Sequence, residues 1–112
     1  DLRAHGPRKD GSAWQIGIEP VSGNNEPRNI ELTEGALATS GDSKRFLLKD
    51  GVRYGHVLNP RTGWPVMDAH HSVTVLAPTC VQAGVFSTFA LLMGKEANAF
   101  LDQQGVRYWL ED

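Results

Sequence analysis

Cysteine is nearly absent from this chain. Among 112 residues only Cys80 carries a thiol, so no internal disulfide can form and the redox compartment stays open. Long apolar runs are missing too: none approaches the roughly 18 residues of a membrane-spanning helix. There is no excess of positive charge, since 11 Lys and Arg stand against 13 Asp and Glu for a net charge of −2. No basic cluster reverses that balance, so there is no electrostatic footprint for nucleic acid. The chain has no repeat, no low-complexity tract and no signal peptide. It also lacks an initiator methionine. It opens directly at Asp1 in "DLRAHG", which suggests an excised piece of a longer protein.

What is present is a globular composition. Hydrophobic residues make up 40% and charged residues 21%, a balance that supports a packed core rather than disorder. The length suits one domain over residues 1–112. "AWQIGIE" (Ala13 to Glu19) alternates with period two between Gly11 and Pro20 and predicts a strand. "VSGNNEPRN" (Val21 to Asn29) is turn chemistry throughout. "NIELT" (Asn29 to Thr33) and "GALATSGD" (Gly35 to Asp42) predict further strands, the second built of small side chains. "RFLLKDGVRYGHVL" predicts a hairpin turning at Asp50-Gly51. "HSVTVLAP" (His71 to Pro78) is β-branched and stops at proline.

The period then changes. Thr79 to Gln82 has the form of a capping box, with Thr79 as N-cap and Gln82 reaching back. Val85, Phe86, Phe89, Leu92 and Met93 follow at helical spacing and are expected to form the core face, with Gly94 ending the helix. A shorter helix over roughly Lys95 to Gln104 closes at Gly105, and "VRYWLE" is a last strand. Strands first and helices late predict α+β: a mixed or antiparallel sheet with two late helices packed on one side.

One stretch is unusually rich in donors. "YGHVLNPRTGWP" (Tyr54 to Pro65) places a histidine, an asparagine, an arginine and a threonine among prolines and glycines. His56 suits a general base or phosphate ligand at a strand end, or a hydrogen-bonded structural histidine. Arg61 is a planar donor fork for phosphate or carboxylate, or a brace bonded to turn carbonyls. Asn59-Pro60 and Thr62-Gly63 read as successive turns. Ala36, Ala38, Thr39, Ser40 and Gly41 carry so little bulk that a helix, or a ligand, can lie against their strand.

In the late helix, Gly84 and Thr88 share a face. The glycine leaves room for a neighbour, and the threonine hydroxyl either faces a cation or bonds back to the Gly84 carbonyl. His70 and His71 adjoin Asp68, but adjacent strand residues point to opposite faces. No second ligand cluster supports zinc there. Cys80 lies at the helix start without any other nucleophile signature.

Taken in order, "DLRAHG…DGSAWQIGIEP", "GALATSGD", "GHVLNPRTGWPV" and "SVTVLAPTCVQAGVFSTFALLMG" resemble the C-terminal half of the ApbE-type flavin transferases, the FAD:protein FMN transferases. The resemblance covers nearly the whole chain. It implies an enzyme that uses FAD with a divalent cation, usually magnesium. Such an enzyme releases AMP and attaches FMN through a phosphoester to a threonine or serine of an acceptor protein. It implies that His56 is catalytic and that Thr39, Ser40, Gly41, His56, Arg61 and Thr62 hold the cofactor. Thr88 matches a threonine that helps hold the metal. It also implies a periplasmic setting, or an anchor on the outer face of a bacterial membrane, often as a lipoprotein.

The chain departs from the family pattern at two positions. Gly84 stands where the family has a metal-binding aspartate, and Asn59 where the loop commonly has aspartate. Weak magnesium binding is therefore expected, unless an acid such as Asp42 or Asp68 takes over. The family's upstream glycine-rich segment, with its aspartate and lysine, is not in this sequence. Two alternatives follow: a flavin- or nucleotide-binding relative without turnover, and a structural fragment inactive without the N-terminal half.

Overall fold

The computed structural model describes residues 1–21 and 26–112. Among the described residues, eight strands and two helices follow in chain order: β1 (Leu2–His5), β2 (Trp14–Ile18), β3 (Arg28–Leu32), β4 (Glu34–Gly41), β5 (Phe46–Lys49), β6 (Val52–Gly55), β7 (Ser72–Ala77), α1 (Cys80–Met93), α2 (Ala97–Gln104) and β8 (Arg107–Glu111). A 3-10 turn over Gly94–Glu96 joins the helices. The central part of the turn-rich "VSGNNEPRN", residues 22–25, lies outside the described residues.

The main sheet runs β1-β4-β7-β8, antiparallel at every step. The pairs β2–β3 and β5–β6 are separate antiparallel hairpins. This is the α+β arrangement expected, with both late helices tied to the sheet by one core. Strand alternation sorts the side chains of β4 and β7. Val73 and Val75 pack with Ala90, Leu91, Ala97 and Leu101 of the helical layer. Ala38 and Ala77 pack with Ala83. On the other face Leu37 joins Ile18 and Ile30 of the β2–β3 hairpin, with Leu76 and Trp109 against them. Covered on both faces, β7 is buried almost throughout, which explains its unbroken apolar and β-branched run.

The expected turns are present. Asp50 and Gly51 have φ of 52° and 76°, the left-handed pair a tight two-residue hairpin needs. Thr79 caps α1, its hydroxyl accepting from the Gln82 N–H at 3.2 Å. Gln82 reaches back to the Thr79 hydroxyl at 3.2 Å, where a full capping box would bond the backbone N–H. "DLRAHG" carries a strand, β1, that was not expected from its pattern.

The expected core face of α1 is corrected. Val85, Phe89 and Met93 are 39%, 52% and 45% exposed, while Ala83, Ser87, Ala90 and Leu91 are buried. The reason is the partner strand. β4 offers Ala36, Ala38 and Ser40 on its helix side, and only the small side of α1 can come close to them.

Candidate functional site

The small-residue strand is explained first by helix packing. α1 lies against β4 closely enough for side chains to bond across the layers. The Ser40 hydroxyl sits 2.9 Å from the Ser87 hydroxyl and 2.9 Å from the Thr88 hydroxyl. Ser87 donates to the Gly84 carbonyl at 3.1 Å. Each hydroxyl has one proton, so the order is set. Thr88 donates to Ser40, Ser40 to Ser87, and Ser87 to the Gly84 carbonyl. The back-bond to Gly84 expected of Thr88 is thus made by its neighbour. Thr88 Oγ1 is left with lone pairs only.

Around this chain of hydroxyls lies an open cleft of about 360 Å³. It gathers the end of β4 (Thr39, Ser40, Gly41), the following bend (Ser43, Lys44, Arg45), His56 with Val57, and Thr88. Five residues expected at the site, Thr39, Ser40, Gly41, His56 and Thr88, therefore share one cleft. Two of them also have structural work. The Thr39 hydroxyl pairs with that of Thr74 across β4–β7 at 2.8 Å. A Cβ on Gly41 would collide with the His71 carbonyl and lie 2.9 Å from Ser72 Cα, so the neighbouring strand itself requires glycine there.

His56 follows β6, and its ring orientation is defined. Nδ1 lies 3.1 Å from the Arg45 carbonyl oxygen. A carbonyl can only accept, so Nδ1 carries a proton, and in the neutral ring Nε2 is the basic nitrogen. No carboxylate is among the cleft's lining residues; its charged side chains are Lys44 and Arg45. Lys44 is shared with Glu19 at 2.6 Å. The Arg45 guanidinium makes no ion pair among the described residues. Hydroxyls, two cations and an imidazole make a site that suits an anion.

Arg61 and Thr62 lie elsewhere. Asn59 Oδ1 accepts from the Arg61 N–H at 2.9 Å, Thr62 Oγ1 from the Trp64 N–H at 3.2 Å, and the Trp64 carbonyl from the Asn59 N–H at 2.9 Å. With the Leu58–Pro65 bridge, these bonds fold the loop back on itself and confirm the two successive turns. Arg61 lines a different cleft with Asn59, Phe89 and Met93. Its guanidinium forms no hydrogen bond among the described residues. His56 and Arg61, both expected to hold the cofactor, line different clefts. Asn59 serves the turn through its side-chain carbonyl, a role that needs no carboxylate.

The donor set does not fit magnesium. No group of three His, Cys, Asp or Glu is placed to hold a metal among the described residues. Gly84 faces open space where a carboxylate would stand. Asp42 is held by His71 at 2.8 Å and Arg53 at 3.2 Å, and Asp68 by Lys95 at 3.4 Å. His70 and His71 bind separate carboxylates, Asp112 at 2.6 Å and Asp42. Thr88 alone offers one neutral oxygen, which is too little for a hard cation.

Ser43, Lys44 and Arg45 were not singled out from the sequence. The available signal was two adjacent cations directly after "ATSGDS". On its other side His56 borders an apolar groove of about 780 Å³ lined by Phe46, Leu47, Tyr54, Leu58 and Trp64.

The sequence model of the ApbE family matches residues 1–110. A FAD:protein FMN transferase of Vibrio cholerae is 39% identical over 98 residues, covering 86% of this chain and 29% of the relative. The protein of that name in Escherichia coli K12 is 29% identical over 112 residues, covering 97% and 32%. Among solved structures, the ApbE protein of Thermotoga maritima aligns with a TM-score of 0.84 and 35% identity, over 96% of this chain and 36% of that one. The apo flavinyl transferase ApbE of Pseudomonas stutzeri aligns at 0.83 and 31%, over 97% and 34%. The chain thus spans about a third of the length of these proteins.

Proposed function

The chain belongs to the ApbE family, and from that premise we propose that it is the C-terminal portion of a flavin transferase domain. The parent protein moves FMN from FAD to a threonine or serine of an acceptor protein and releases AMP. The observation that carries this reading is the pairing of His56 with the cationic cleft. A base with its proton on Nδ1 and a free Nε2 borders an anion site of hydroxyls, Lys44 and Arg45.

The chemistry follows from those groups. Arg45, Lys44 and the cleft hydroxyls hold the pyrophosphate of FAD and spread its charge. The acceptor hydroxyl oxygen forms a bond to the phosphorus on the riboflavin side. The bond from that phosphorus to the bridging oxygen breaks, and the electron pair leaves with AMP. The hydroxyl proton passes to His56 Nε2. Thr39 and Gly41 supply the edge of β4 along the cleft. Arg61 and Thr62 shape the neighbouring loop and reach FAD only beyond this cleft. A periplasmic or membrane-anchored location rests on the family resemblance; no helix among the described residues is long and apolar enough to cross a membrane.

Gly84, with no metal-ligand cluster among the described residues, favours a second reading, a relative that binds flavin phosphates without metal-dependent turnover. Single-turnover flavinylation of an acceptor peptide by the full-length protein separates the two. His56→Ala should transfer FMN about 10²–10⁴-fold more slowly at saturating FAD, the usual loss of a positioned base. Transfer at the wild-type rate would refute the role of His56. No transfer by the wild type would leave the binding relative.

A further inference from the structure

Asp42 lies just beyond the cleft, and its side chain is 15% exposed. It touches two other chain segments at once. Its backbone N–H donates to the His71 carbonyl at 2.9 Å. Its Oδ1 accepts from His71 Nδ1 at 2.8 Å and from Arg53 Nη2 at 3.2 Å, and its carbonyl also accepts from Arg53 Nη2. Arg53 lies on β6, with its guanidinium 4.0 Å over the Phe46 ring of β5. Gly55, the last residue of β6, lies so close that a Cβ there would be 3.2 Å from Asp42 Cβ.

The hydrogen bond that defines the His56 tautomer has two ends, and each lies within three residues of Asp42 or of its partner Arg53. One end is the Arg45 carbonyl, three residues after Asp42. The other is His56 itself, next to Gly55. Asp42 thus closes a ring: Asp42 to Arg45 along the chain, Arg45 to His56 by a hydrogen bond, and His56 through Gly55 and Arg53 back to Asp42. A largely buried carboxylate that ties β6 to the His71 segment is costly to remove, because His71 loses its side-chain acceptor and Arg53 keeps only the Asp42 backbone carbonyl.

We propose that Asp42 is a positioning residue for His56, holding the imidazole in its Nδ1–H tautomer against Arg45 so that Nε2 stays basic. This rests on the reading of His56 as the base. Asp42 does not touch the reacting atoms. It acts through β6 and the bend after β4.

The test has two readouts. The first is the imidazole signature of His56 in this chain, from long-range proton–nitrogen NMR correlations, which needs no substrate. Wild type should show one tautomer with the proton on Nδ1, and Asp42→Ala a mixture. Asp42→Asn keeps an acceptor oxygen and should restore much of the wild-type signature. The second is single-turnover transfer by the full-length protein. Asp42→Ala should lower kcat by up to about 10²-fold, as expected for a slightly misplaced reacting group. KM for FAD should move by less than about threefold, because ground-state binding lies elsewhere. If Asp42→Ala does not fold, Arg53→Gln cuts the link to β6 alone and should shift the same signature. An unchanged tautomer with unchanged kcat in a folded Asp42 or Arg53 variant would overturn the proposal. A changed tautomer would support it even if wild type transfers no FMN, and the failure would then belong to the proposed function.

Discussion

Replacing Gly84 by alanine should stabilise this chain. Gly84 is the fifth residue of α1, and a glycine inside a helix costs about 0.8–1 kcal/mol relative to alanine. Such a cost is often retained for a neighbour that needs the room. Here a Cβ on Gly84 would meet nothing within 4 Å, and its φ is not positive. The Gly84 carbonyl keeps its bond from Ser87, since only the side chain changes. The full propensity gain should therefore appear, as expected when the native backbone suits the new residue. Unfolding entropy near 2.1 cal/mol/K per residue, taken over 112 residues, gives roughly 0.24 kcal/mol per degree, so Tm should rise by about 3–4 °C. Thermal unfolding followed by circular dichroism would read this, with urea midpoints as a second measure. A fall in Tm would refute the reasoning, because it would mean that something occupies the space above Gly84. Gly84→Asp fits the same space and should cost no stability. It places a carboxylate one turn before Thr88 and should add a saturable heat of magnesium binding.

Three further outcomes follow from the same geometry. Wild type should give no saturable magnesium isotherm in calorimetry; micromolar affinity lost in Thr88→Val would show a metal site after all. Arg45→Ala should weaken inorganic pyrophosphate binding roughly 10-fold in a phosphorus NMR titration, since two unit charges about 4 Å apart attract by about 1–4 kcal/mol between water and a protein surface. Arg61→Ala should change it less than about twofold at physiological salt, and a larger loss there would return the phosphate to the loop. Tyr108 donates to Asp102 at 2.8 Å, and that bond, with desolvation and the Asp102 charge, raises the phenol above its ordinary 10.0. A raised folded value means stability that is complete below pH 10 and lost as pH climbs through the folded pKa. Tyr108→Phe should flatten that alkaline fall in urea midpoints and cost under about 1 kcal/mol at neutral pH, because the bond is exposed; an unchanged slope would sink the assignment.

The sequence is legible where a local rule is decisive. Asp50-Gly51 announces its hairpin because few other pairs accept two left-handed residues. "SVTVLA" announces β7 because an unbroken run of mostly apolar and β-branched residues suits a strand covered on both faces. β1 is hard to read because "LRAH" alternates over only four residues, and pairing with β4 supplies what so short a run lacks. Periodicity shows which residues of α1 share a face, but not which face packs. That depends on β4, a strand far away in sequence. The same limit applies at the site. The donor density of "GHVLNPRTGWP" points to His56, but the carbonyl that sets its tautomer belongs to Arg45, eleven positions earlier. The Arg61 side chain is chemically apt for phosphate. It leaves the cleft because the turns at Asn59 and Thr62 close the loop on itself and carry it toward Phe89 and Met93.

Packing and chemistry meet at the alanines. Ala38, Ala77 and Ala83 form a small cluster between sheet and helix, and their size sets how near α1 comes to β4. The Ser40 hydroxyl bonds Ser87 and Thr88 at 2.9 Å, distances with no slack for a wider gap. A bulkier side chain at Ala38 or Ala83 would hold the helix away and break both bonds of the Ser40 hydroxyl, leaving the buried Ser87 hydroxyl only its bond to the Gly84 carbonyl. Thr88 would also lose the acceptor that takes its proton, and with it the lone-pair face it turns to the cleft. The small strand that first suggested room for a ligand thus makes its contribution indirectly. It brings the helix close, and the helix delivers the hydroxyl.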